Sequence, residues 1–180
     1  FASALDLAGQ ALGKVDAVVV TAATFSTQEL FEQDVDLAQQ NMTVNFVNTV
    51  MFCEHVRKRL VSSGGGTLCV VSSVAGDRGR SPVVIYGAAK AGLTAYLEAL
   101  DQRYFRYGLR AICIKPGFVR TAMTSGLRVP PFAGTATRVA RDIVRAIDRG
   151  RTVVYTPAIW KWIMVVVRLL PRALMRRSSF

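Results

Sequence analysis

Apolar residues along this chain follow two patterns. Short continuous runs occupy residues 16–21 (DAVVVT), 67–72 (TLCVVS), 109–115 (LRAICIK) and 152–155 (TVVY). Between them lie longer segments with apolar positions three and four apart. These are residues 1–14, ending at Gly13; 33–63, broken by the SSGGG turn signal; 86–107, stopped by Gly108; and 135–148, with Gly150 as a C-cap. A continuous apolar run is expected of a strand covered on both faces, whereas half-buried strands alternate. Strands of that kind alternating with helices predict an α/β fold, a doubly wound parallel sheet between two helical layers. Ligands of such sheets bind at the carboxyl ends of the strands. Thr21, Ser73 and Pro116 with Gly117 each fall at such an end, so they are expected to converge.

Composition narrows this picture. The 180 residues are 51% apolar, which predicts one globular domain with a substantial core. The chain begins at Phe1 with no basic segment leading into an apolar one, and no signal peptide is expected. Cys69 and Cys113 sit in strand-like runs and, like Cys53, read as free thiols in a reducing compartment. With one histidine (His55) and no Cys-x-x-Cys, no metal site is expected. The net charge of +11 is concentrated at the end, where residues 149–180 hold seven Arg or Lys and no acid. Such bias suggests nucleic acid, an anionic membrane or an acidic ligand. Nucleic acid has only charge in its favour, without interleaved aromatic residues, and is not expected.

The stretch with most chemistry is residues 73–90 (SVAGDRGRSPVVIYGAAK). Tyr86 and Lys90 are four apart at the start of a helical segment, which puts phenol and ammonium on one face. A phenol has a reference pKa near ~10, and a neighbouring positive charge lowers it toward useful acid–base chemistry. Ser73, at a strand end, could hydrogen-bond a carbonyl oxygen held over the tyrosine.

Ser73, twelve intervening residues, Tyr86, three residues and Lys90 resemble the active-site signature of the short-chain dehydrogenase/reductases. Asn45, in TVNFVNTV, sits where that family has its fourth catalytic residue. Residues 116–121 (PGFVRT) resemble its PG-x-x-x-T segment, and residues 16–23 (DAVVVTAA) lie where it has its strand-four motif. The resemblance implies a three-layer Rossmann-like fold and an NAD(P)H cofactor passing hydride to a carbonyl carbon. By that resemblance Tyr86 donates the proton, Lys90 lowers its pKa and holds the nicotinamide ribose, Ser73 steadies the oxyanion, and Asn45 holds a water leading to Lys90. Cofactor contacts are implied for Thr21, Ala22, Ala23, Tyr86, Lys90, Pro116, Gly117, Val119 and Thr121. The chain departs from the pattern in two places. Its strand-four motif reads Val20-Thr21-Ala22-Ala23, and the Gly-rich turn that would cradle a pyrophosphate is absent. A sheet lacking its first βαβ unit is therefore expected over residues 1–156, in a partial chain that binds dinucleotide poorly by itself. NADH and NADPH are not distinguished, because the discriminating residue follows a strand this sequence lacks.

Residues 157–180 read as a basic amphipathic tail. Lys161, Arg168, Arg172 and Arg176 fall along one helical face and Trp160, Ile163, Met164 and Val167 along another, with Pro171 dividing the helix. This predicts peripheral contact with a membrane interface, the alternative being a helix packed on its own domain or a partner subunit. The tail pattern is similar to that of decaprenylphosphoryl-2-keto-erythro-pentose reductases, which implies a lipid-linked sugar as the carbonyl substrate. Ketosphinganine and hydroxysteroid reductases are the lipid-directed alternatives. The resemblance further implies a homo-oligomer built on the helices at 34–63 and 86–107, in the cytoplasm or at the inner face of a membrane. A non-catalytic, truncated reductase-like subunit that binds a membrane or a partner is the competing reading.

Overall fold

The computed structural model describes residues 1–177; the last three residues of the expected tail lie outside the described residues. Four parallel strands form the sheet, in the order β1 (Ala17–Val20), β2 (Gly66–Val71), β3 (Leu109–Pro116) and β6 (Val153–Thr156). Register pairs Val20 with Val70, Val71 with Ile114, and Pro116 with Thr156, so the carboxyl ends of the strands finish side by side.

The continuous apolar runs explain the two helical layers. In β2, Leu68 and Val70 face α1 (Ala2–Leu12), α4 (Thr49–Ser62) and α5 (Val84–Tyr104), where they pack with Val56, Leu60, Leu93 and Leu97. Cys69, between them, faces the opposite layer with Ile112, Ile114, and Val139 and Ile143 of α6 (Ala136–Arg149). Fully burying each such aliphatic side chain contributes ~1.5–3 kcal/mol. The three cysteines are buried free thiols, and burial pushes those of Cys53 and Cys69 up to about 12.

β1 departs from the expectation of cover on both faces. Val18 and Val20 point to the core, but Val19 is 44% exposed. Among the described residues β1 pairs on one side only, with β2, so its outer edge and face are open.

The expected helix over 33–63 is divided. α2 (Gln28–Gln33) ends at Asp34, whose carboxylate then accepts from the Leu37 N–H and caps α3 (Val35–Met42). A π-helical turn, Thr43–Asn48, joins α3 to α4, and the Thr49 hydroxyl donates to the Val44 carbonyl that the wider turn releases (2.8 Å). α5 ends through a 3₁₀ turn at Gly108, whose φ of 77° is left-handed and suits glycine. Two further strands, β4 (Val119–Arg120) and β5 (Gly134–Thr135), make a small parallel pair above the sheet.

Pro171 separates α7 (Ile159–Leu169) from α8 (Arg172–Met175), as the sequence predicts. The apolar face expected at a membrane is turned inward instead. Trp160, Ile163, Met164 and Val167 pack on Val74 and Tyr155. α7 carries a second apolar face, and it is that one, with Trp162, Val165, Val166 and Leu169, which is exposed. The 27-residue segment Ser81–Tyr107 is long and apolar enough to cross a bilayer. Its α5 part nevertheless buries Leu93, Leu97 and Leu100 in the core described above.

Candidate active site

The ends of β1, β2 and β3 open into a cavity of about 540 Å³. Thr21, Ala23, Ser73, Tyr86, Lys90, Pro116, Gly117, Val119 and Thr121 all line it. The convergence expected of Thr21, Ser73 and Pro116 with Gly117 is thus observed. Ala22 does not line the cavity.

Local bonds set this arrangement. Ser73 is extended and its hydroxyl accepts from the Ala75 N–H (3.1 Å), capping the turn Val74–Gly76. Ser72, just before it, donates to the Lys90 carbonyl (3.1 Å) and is 2.8 Å from the Thr94 hydroxyl. That double tie fixes where α5 sits against the end of β2, and therefore where Tyr86 and Lys90 stand relative to Ser73. Gly76 completes it, because a Cβ there would come within 2.6 Å of the Lys90 carbonyl carbon.

Lys90 is 1% exposed and donates to the Val71 carbonyl (3.3 Å). Burial pulls its ammonium down to about 8, against a weaker upward pull from Cys113. Tyr86 is held above the usual phenol value by burial, and a hydrogen bond with Ser73 works in the opposite direction. The lowering of Tyr86 by Lys90 expected from their spacing is therefore not found. The ammonium lies 5.6 Å from the centre of the Tyr86 ring and points to a backbone carbonyl rather than to the phenol oxygen.

Asn45 is fully buried in the π-helical turn. Its Nδ2 donates to the carbonyls of Thr24 (2.8 Å) and Asn41 (3.1 Å), and its Oδ1 accepts from the Thr24 N–H (3.3 Å). It clasps the segment that leaves β1, which bears Thr21, Ala23 and Phe25. Both of its polar ends are engaged there.

Several site residues are not apparent in the sequence. Phe25 meets the Tyr86 ring edge to face at 5.1 Å and lines the cavity. Trp160 forms another wall, and its indole lies where a Gly117 Cβ would stand, with Nε1 donating to the Phe132 carbonyl (3.3 Å). Arg80 and Lys90 are the cations among the described lining residues, which include no acid. Burial lowers the Arg80 guanidinium, while Asp77 favours its charge. Beside the cavity, Lys115 donates to Asp77 (2.6 Å), whose second oxygen accepts from Tyr155 (2.7 Å). This buried triangle ties the loop after Ser73 to the residue preceding Pro116. The only signal for it in the sequence is a lysine closing an apolar strand run.

The family pattern described as short chain dehydrogenase matches residues 2–130, and the chain belongs to that family. An uncharacterized oxidoreductase of Mycobacterium tuberculosis is 34% identical over 165 residues, 92% of this chain and 66% of its own length. Carbonyl reductase family member 4 of Xenopus laevis is 29% identical over 65% of this chain and 50% of its own length. The chain thus spans about two thirds or less of these curated relatives. A solved short chain dehydrogenase from Burkholderia cenocepacia, in complex with NADP, shares the fold. Its TM-score is 0.82 at 21% identity, covering 98% of this chain and 76% of that one.

Proposed function

We propose that this chain carries the catalytic part of a nicotinamide-dependent carbonyl reductase. The observation that carries the reading is that Ser73, Tyr86 and Lys90 line one largely apolar cavity together with residues at the ends of β1 and β3. At about 540 Å³ the cavity is in the range of small-molecule sites. A nicotinamide would be held by Thr21, Ala23, Pro116, Val119 and Thr121, which line the cavity, and when bound it supplies the hydride. NADP in the Burkholderia structure and the name of the Xenopus relative point the same way.

The chain's own residues handle the oxygen of the substrate. As a carbonyl oxygen gains negative charge, Ser73 donates a hydrogen bond to it and Tyr86 gives up its proton. The elevated pKa keeps the phenol protonated at neutral pH, in the form needed to donate. Lys90 lies close enough to favour the phenolate once it forms. Asn45 holds the Thr24 segment in place and with it one side of the cavity.

The finer reading is a carbonyl compound on an apolar carrier, of which a lipid-linked sugar is the favoured case. Val74, Phe118, Leu127 and Trp160 give the cavity apolar walls. The outward face of α7, Trp162, Val165, Val166 and Leu169 with Lys161 and Arg168 nearby, suits an anionic membrane interface. Val47, Met51 and Val84 on the outer surfaces of the π turn, α4 and α5 suit a second copy of the chain.

Tyr86→Phe tests the reading in the protein as expressed from its gene. Carbonyl-dependent oxidation of NADPH or NADH is expected to fall by about two to four orders of magnitude with cofactor affinity nearly unchanged. Turnover equal to that of the unaltered protein would sink the proposal.

A further inference from the structure

Lys115 ends β3 directly after residues 111–114, all of which are buried. A buried ion pair contributes no more net stability than well-packed apolar residues of the same volume, so the packing of this strand end does not require one. What the pair adds is direction. Hydrogen bonds fix distance and angle, whereas apolar contact is non-directional. Lys115 and Tyr155 are register partners on β3 and β6 and leave the same face of the sheet, with the ammonium 5.5 Å from the centre of the phenol ring. Each donates to a different oxygen of Asp77, at 2.6 and 2.7 Å. Donors from two strands hold the carboxylate in both position and orientation, where a single donor would leave it free to turn. The side chains of Lys115 and Asp77 are 8% and 2% exposed, so water is no substitute partner for either.

Asp77 stands one short turn from Ser73. The Ala75 N–H donates to the Ser73 hydroxyl, the Gly76 N–H to the Ser73 carbonyl (3.1 Å) and the Asp77 N–H to the Val74 carbonyl (3.2 Å). A turn bonded in this way moves as a unit, so a carboxylate fixed at one end sets where the hydroxyl at the other end lies. On the far side of the clamp, Lys115 and Tyr155 precede Pro116 and Thr156, which are also register partners, and the Gly117 N–H donates to the Thr156 carbonyl (3.1 Å). The clamp therefore joins the Ser73 turn to the 116–117 strand end, and both line the cavity. Ser72 has a separate task, tying β2 to α5 and so to Tyr86 and Lys90. We propose that Asp77 is a positioning residue: clamped by Lys115 and Tyr155, it sets the place of the Ser73 hydroxyl relative to the strand end where the hydride donor would be held. The role in hydride transfer rests on the carbonyl-reductase reading; the placement of Ser73 does not.

The test compares Lys115→Met combined with Asp77→Leu, and Tyr155→Phe alone, with the unaltered protein as expressed from its gene. Asp77 also favours the charge of Arg80. Tyr155→Phe leaves Asp77 in place, so an effect common to both variants belongs to the clamp and not to Arg80. Amide hydrogen exchange at Ala75, Gly76 and Asp77 is expected to quicken at least about tenfold in the double variant, the scale of one hydrogen bond to a charged group, while the amides of β2 change less. Tyr155→Phe should show the same pattern to a smaller degree. Turnover of para-nitrobenzaldehyde with NADPH or NADH is expected to fall at least about tenfold in the double variant with KM nearly unchanged, because a misplacement of about 1 Å is enough to cost ~10²-fold. Loop amides that exchange as slowly in both variants as in the unaltered protein overturn the proposal. Faster exchange with unchanged turnover overturns the role in the reaction and leaves Asp77 as a residue of the fold. If the double variant does not fold, Tyr155→Phe decides by the same two readouts. If the unaltered protein reduces no carbonyl compound, the reductase reading fails, and the exchange rates alone decide whether the clamp places Ser73.

Discussion

Lys90 and Lys115 are both almost wholly buried, at 1% and 7% exposure, yet they are in opposite electrostatic positions. Lys115 has a carboxylate at 2.6 Å, and that carboxylate is completed by the Tyr155 hydroxyl. Lys90 has a single backbone carbonyl at 3.3 Å and no carboxylate among its described partners. A buried ion pair with its remaining lone pairs satisfied costs little net free energy, but either partner alone costs several kcal/mol. A buried ammonium with weak compensation is held in place by the surrounding fold, and its charge is easily lost. Lys115 fastens the loop after Ser73 to the end of β3. Lys90 gives up its charge at about 8, and what separates the two lysines is their partners rather than their burial.

Substitution with methionine, similar in length but uncharged, should pull the two apart. Lys90→Met is expected to lower turnover by about two to four orders of magnitude while leaving chemical denaturation at neutral pH unchanged or shifted toward higher stability. Comparable turnover, or a large loss of stability, would erase the contrast. Lys115→Met should do the reverse in stability, costing about 3–5 kcal/mol by urea denaturation because it strands the Asp77 carboxylate. Adding Asp77→Leu to it should recover most of that loss; a double variant no better than the single would show that the pair does not act as a unit.

The pH dependence sharpens the comparison. Unfolded, Lys90 keeps its proton up to about 10.5, whereas folded it gives it up near 8. Between those values the unfolded state binds more protons, so this lysine's contribution to stability rises with pH. The penalty is fully present below about pH 8 and is relieved by about pH 10.5. Its size is of the order of 3 kcal/mol, from 1.36 kcal/mol per pKa unit. The stability advantage of Lys90→Met over the unaltered protein should therefore be greatest at pH 7 and vanish near pH 10.5. A constant difference across that range would contradict it. The smallest effect is expected of Tyr155→Phe, which removes one hydrogen bond to a charged group and should cost about 1.5–3 kcal/mol. A loss equal to that of Lys115→Met would make the hydroxyl, rather than the ammonium, the main partner of Asp77.

Much of the architecture was legible because it depends on local pattern. Continuous apolar runs give β2 and β3 a residue for each helical layer, Leu68 and Val70 on one side and Cys69 on the other. Gly108 and Gly150 end their helices in the left-handed conformation, where glycine suits best. The parallel direction of the strands follows from alternation with helices, and with it the meeting of Thr21, Ser73 and Gly117 at their carboxyl ends. What was not legible depends on partners distant in sequence. Asp77 and Lys115 are 38 residues apart, and nothing near either one announces the other. Apolar residues lie on two faces of α7, and periodicity cannot say which of the two the domain covers. The six residues of α2 and the two-residue strands β4 and β5 are too short for any period to register. Val19 looks like a core valine in DAVVVT, and only the open edge of the sheet distinguishes it.

Two indoles, two residues apart on α7, have opposite surroundings: Trp160 is 7% exposed against Gly117, and Trp162 is 66% exposed. The protein therefore carries its own optical gauge. Replacing Trp162 with phenylalanine leaves Trp160 as the one indole of these 180 residues, set in the wall of the cavity at the strand ends and hydrogen-bonded to Phe132. Its emission should respond directly to whatever fills the space beside it, so occupancy can be followed in solution without a label.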